Sequence, residues 1–129
     1  MNSRGFSTVL TIVGLVILVP LLLLAFHGIS VGNQKHQIED QIAGLHLQKA
    51  PESTQCDGDG IDSNPWCQYE YTIPTTTIEK ALQAAGYAQD TSDGSQSNTT
   101  HKYIGGNPKM LFKVSTSNGM TVLYGERSE

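Results

Sequence analysis

Hydrophobic and polar positions divide this chain into two unlike parts. From Phe6 to Ile29 nearly every position is apolar, and no Asp, Glu, Lys or Arg occurs between Gly5 and Gln34. A bilayer-spanning helix needs roughly 20 predominantly apolar residues at about 1.5 Å each, so the run predicts a transmembrane helix over 6–30. Pro20 lies inside it and removes one backbone hydrogen bond, which predicts a bend. Over 31–49 the pattern changes to a single stripe. Ile38, Ile42 and Leu45 recur at helical spacing among Gln37, Glu39, Asp40 and Gln41. That is an amphipathic extension of the same helix to about His46. Gly32 and Asn33 mark where the helix can break at the membrane surface, and Pro51 ends the helical part.

Residues 50–129 read as a small head. Gln68–Ile73 alternates polar and apolar, predicting a half-buried strand stopped by Pro74. Thr76 and Glu79 have the spacing of a capping box, with Thr76 as N-cap of a helix over 77–85. Ile78, Ala81, Leu82 and Ala85 form its buried face, and Gly86 sits where a helix ends. Two apolar-rich runs, Met110–Thr116 and Thr121–Tyr124, flank Asn118-Gly119, the favoured two-residue hairpin turn. Counting outward pairs Val114 with Leu123 and Thr116 with Thr121, and turns Phe112, Val114 and Leu123 toward the core. The composition of 52–64 and of 89–100 predicts loops. The expected fold class is α+β: a long N-terminal transmembrane α-helix, then a small disulfide-linked head with a short antiparallel sheet and one helix.

Length sharpens this picture. Of 129 residues, the membrane run and its extension leave a head of about 80, a size at which one core is marginal and a covalent staple helps. Cys56 and Cys67 are the only cysteines, and an even count in an exported domain predicts that they are bonded. A net charge of −4 supplies no basic patch for nucleic acid. Arg4 precedes the span without an acid beside it, which orients the N-terminus to the cytoplasm and the head outside or in the periplasm.

Candidate chemistry is sparse. Asp57-Gly58-Asp59-Gly60-Ile61-Asp62 resembles calcium loops of thrombospondin type 3 repeats, in which alternate Asp residues gather oxygen ligands around a tight turn. Asp57, Asp59 and Asp62 are the candidate calcium ligands. The competing reading is a polar turn closed by the disulfide. His27, His36, His46 and His101 lack ligand spacing, and Cys56 and Cys67 are not in a Cys-x-x-Cys arrangement. No local motif indicates an enzyme. Trp66, Tyr69 and Tyr71 cluster beside Cys67; one reading is an exposed aromatic binding surface, and the other, the commoner outcome, is a buried Trp packed on the disulfide.

The beginning of the chain, Arg4-Gly5-Phe6-Ser7-Thr8-Val9-Leu10, resembles the class III signal of type IV pilins and pseudopilins. The resemblance covers about 45 residues, including a long helix that is apolar and then amphipathic. It implies a leader over 1–5, cleavage by a prepilin peptidase between Gly5 and Phe6, and methylation of Phe6. It also implies assembly with other pilin-like subunits into a surface filament or secretion pseudopilus. The chain departs from the family at Leu10, where most members carry a Glu that pairs with a neighbour's N-terminal amine. That departure points to a minor subunit. Two readings from the residues alone stand beside it. One is an uncleaved single-pass anchor whose extracellular domain has an unknown binding role. The other is a secretory signal cut after Gly32, although a typical secretory core spans only about 7–15 residues.

Overall fold

The computed structural model describes residues 3–58, 63–92 and 99–128. Helix α1, Ser3–Ala43, is the single long helix expected, and it runs on through Pro20, Gly32 and Asn33 without the break that the last two could have introduced. Glycine and asparagine are only weakly unfavourable in a helix, by roughly 1 kcal/mol or less each, and the neighbouring turns carry them. The helix stops at Ala43, short of the expected His46. Gly44 N–H still bonds Asp40 at 2.9 Å, but Leu45 and His46 reach back only three residues, to Ile42 and Ala43, both at 3.1 Å. His46 then turns left-handed at φ 49°.

Among the described residues the head contains one six-stranded antiparallel sheet, formed by β1 (Ser53–Asp57), β2 (Trp66–Tyr71), β3 (Ala88–Gln89), β4 (Thr100–Gly105), β5 (Met110–Ser117) and β6 (Met120–Arg127). Their spatial order is β1-β2-β6-β5-β4-β3. The β5–β6 hairpin has the expected register, Val114 opposite Leu123 and Thr116 opposite Thr121. Asn118 at φ 52° and Gly119 at φ 76° supply the two left-handed residues of its turn.

Strand β2 begins at Trp66 and ends at Tyr71, two residues earlier at each end than the alternation suggests. Strand β1 lies inside the segment expected to be a loop. Its side chains are mostly exposed, so it leaves no apolar signature. Backbone pairing with β2 creates it, extended by Glu52 N–H to Glu70 at 2.7 Å.

Helix α2, Thr75–Ala84, starts at Pro74 rather than at Thr76. Pro74 occupies the N-cap with φ −60° and ψ 147°, and no side chain caps the helix. Thr76 is therefore already inside the first turn, and Glu79 bonds His101 of β4 instead. The other end matches expectation. Gly86, at φ 92°, follows the C-cap Ala85. Gly86 N–H bonds Gln83 and Tyr87 N–H bonds Leu82, each at 3.0 Å, which closes a Schellman motif.

One face of the sheet carries the core. Cys67, Tyr69 and Tyr71 of β2, Leu123 of β6, Met110, Phe112 and Val114 of β5, and Tyr103 of β4 are buried there. Ile38 and Ile42 from the second half of α1 close it with Leu45 from the turn that follows, together with Ile78 and Leu82 from α2. The helix stripe read from the sequence is thus the surface that docks the head onto its own stalk.

Candidate functional site

The two halves of α1 meet opposite environments. In the C-terminal half, Ile38 is fully buried. In the N-terminal half every described large apolar side chain is exposed, from 47% at Val19 to 69% at Leu24. A helix apolar on all sides is stable only in lipid or among other helices. Among the described residues it is the one helix long and apolar enough to cross a bilayer. Pro20 contributes no N–H, so the carbonyl of Val16 has no donor at the usual place in this half. Gly5 and Phe6 lie within α1, while their side chains, and that of Leu10, are outside the described set.

Cys56 and Cys67 are bonded, as expected. They face each other across β1 and β2 with Cα atoms 4.1 Å apart. Cys67 is wholly buried and Cys56 half-buried against the core, so the bridge is structural.

The candidate calcium loop is only partly described. Asp57 ends β1, and its Oδ1 accepts the Gly58 N–H at 2.8 Å. Asp59 and Asp62 lie outside the described residues. Among the described residues no group of three potential ligands converges.

The aromatic cluster beside Cys67 separates onto two faces. Tyr69 and Tyr71 share the core face with Cys67. Trp66 points the other way and stacks on Tyr124, ring centroids 5.6 Å apart, instead of packing on the disulfide. The reason is strand alternation: Trp66 and Cys67 are consecutive in β2 and must face opposite sides. Lys113 Nζ sits 4.9 Å above the Tyr124 ring, and the Tyr124 hydroxyl donates to Glu126 at 2.9 Å. Burial, reinforced by that carboxylate, pushes the Tyr124 phenol up to about 12. The sequence conceals this pairing, because Trp66 and Tyr124 meet only once the β2–β6 register is known.

Tyr69 reaches about 12 as well, chiefly through burial and then through the charge of Glu39 on α1. Its hydroxyl is buried without a hydrogen-bond partner among the described residues. Tyr87, whose phenol is also raised by burial, donates to Gln41 Oε1 and packs edge-on against Phe112 at 5.1 Å. These contacts bind α1 to the head. None forms a nucleophile–base pair.

A second feature lay beyond sequence reasoning. Where α1 enters the head, Gln34, Asn64, Asn107, Pro108, Lys109, Arg127 and Ser128 line a cavity of about 620 Å³. Four separate segments build it, and the Ser128 N–H donates to the Lys109 carbonyl at 2.9 Å. No single segment carries a motif that would have marked it. Compared with known proteins, the chain matches no protein family, no curated protein and no solved structure.

Proposed function

We propose that this chain is a pilin-like subunit that acts by assembly. The apolar half of α1 packs in the membrane and then among the helices of other pilin-like subunits, while the head presents its open sheet face outside. The observation that carries this reading is the division of α1. One half is apolar and unpartnered, and the other is locked beneath the head by Ile38, Ile42 and Leu45. The opening residues Arg4, Gly5 and Phe6 add the resemblance to a prepilin cleavage site.

In this reading a prepilin peptidase removes 1–5 and exposes the Phe6 amine, which is then methylated. Leu10 supplies no carboxylate for that amine. An ammonium left unpaired in hydrocarbon is costly, so the subunit is expected at a tip or other minor position, where its amine stays hydrated or a neighbour supplies the acid. Expressed alone with an assembly machine, the chain should form no filaments. Leu10→Glu should increase its incorporation beside a Glu-bearing major subunit. Abundant homopolymers of the unaltered chain would overturn this reading.

The alternative is a single-pass anchored extracellular domain. Leu10 is the observation that favours it, because an uncleaved anchor keeps its amine at Met1, before the apolar run, and needs no carboxylate at position 10. In that case the Trp66–Tyr124 face of the head, with Lys113 over the ring, is the candidate binding surface.

A further inference from the structure

We propose that the cleft between Gln34 and the Lys109–Arg127 pair receives the phosphate of an anionic lipid headgroup, holding the head against the bilayer from which its own helix emerges. This rests on the reading that the apolar half of α1 spans the membrane.

Depth is the first support. Gln34 lies five positions beyond Ile29, the end of the apolar run, or roughly 7–8 Å further along the helix. The headgroup zone is about 5–7 Å thick on each side of a bilayer. The cleft therefore opens at the outer margin of that zone.

Its chemistry is the second support. The described lining offers a guanidinium, an ammonium, three side-chain amides and one hydroxyl, and no carboxylate. Neither Lys109 nor Arg127 makes an ion pair within 4 Å among the described residues. Lys109 acts on Asp90, but only weakly. The Asp90 carboxyl is held low mainly by Ser92, with Lys102 and Lys109 acting more weakly. In a chain of net charge −4, this is a local surplus of positive charge with hydrogen-bond donors around it. A guanidinium fork and an ammonium are the groups that bind phosphate oxygens. Arg127 continues the face of β6 that carries Leu123 and Gly125, so it lies on the same side of the sheet as α1.

The test uses the full chain in nanodiscs of phosphatidylcholine alone and of phosphatidylcholine with phosphatidylglycerol, read by backbone hydrogen exchange at Asn107, Lys109, Arg127 and Ser128. On the anionic discs, exchange should slow by roughly fivefold per cation, the usual attraction of one Lys or Arg to an anionic surface. The pair Lys109→Gln and Arg127→Gln should abolish that slowing. Lys113→Gln, on the opposite face of the sheet, should leave it intact. Equal exchange on both kinds of disc, or slowing that survives in the double variant, would overturn the lipid site. So would slowing by inorganic phosphate on neutral discs without any slowing on anionic ones, which would assign the cleft to a free anion. Co-elution with the discs is read first: a chain that leaves both kinds contradicts the membrane reading, and this proposal with it. A chain retained by both that shows no lipid effect contradicts this proposal alone.

Discussion

Gly125 shows how tightly one residue controls the join between stalk and head. A Cβ at this position would stand 2.6 Å from Phe112 Cε1 and 3.1 Å from Ile38 Cγ2. Phe112 and Ile38 are both fully buried, so neither can swing aside. Gly125→Ala should therefore cost about 1–3 kcal/mol, the usual penalty for overpacking, measured by denaturant unfolding of the full chain in detergent. An unchanged midpoint would mean that α1 is not seated on β6 as described. The tyrosines carry a second prediction at this scale. All five, Tyr69, Tyr71, Tyr87, Tyr103 and Tyr124, have phenols raised above the ordinary value of 10.0, with burial the leading cause in each. A raised folded value means that the neutral form is favoured by folding. Its stabilising contribution is complete below pH 10 and is lost as pH rises through about 12, where Tyr69 and Tyr124 titrate. Stability should fall over that window, and ultraviolet titration of the folded chain should show no phenol ionising with an ordinary midpoint. One that does would contradict the burial described.

Among the elements, those with a periodic apolar face were legible in the sequence. The stripe Ile38, Ile42, Leu45 showed which side of the helix faces the core, and Asn118-Gly119 fixed the register of β5 and β6. Both signals are local: one repeat or one turn type decides the outcome. Strands β1, β3 and β4 were not legible for the opposite reason. β1 is mostly exposed, β3 has two residues, and β4 buries Tyr103 fully but its neighbours only in part. Such strands exist because a partner offers hydrogen bonds, and the partner is far away in sequence. The N-terminus of α2 failed through competition, since Pro74 took the cap position two residues ahead of Thr76. The candidate site divided in the same way: the cysteine pair could be counted, whereas the Lys109–Arg127 cleft needed the fold. The disulfide predicts a localised effect. Its 11-residue separation corresponds to about 3 kcal/mol in the chain-entropy account. Replacing Cys56 and Cys67 by Ala should release β1 first, raising hydrogen exchange over 53–57 while the β5–β6 hairpin stays protected. Unchanged protection in β1 would mean that backbone pairing alone holds it.

Across the whole molecule, a single helix joins two environments. Its first half exposes an apolar surface that water cannot accommodate, and its second half is a core element of a disulfide-closed α+β head. A head fixed to its stalk by Ile38, Ile42, Leu45 and the Tyr87–Gln41 bond moves with the helix as one body. That coupling suits a subunit whose helix packs into a bundle and whose head must then take a defined position outside. The measurement that tests this account most directly is the N-terminal residue of the protein recovered from the cells that make it, read by mass spectrometry of its first peptide. Assembly as a pilin-like subunit predicts a chain beginning at Phe6, with a methylated amine. A chain retaining Met1 to Gly5, or one beginning after Gly32, would contradict it.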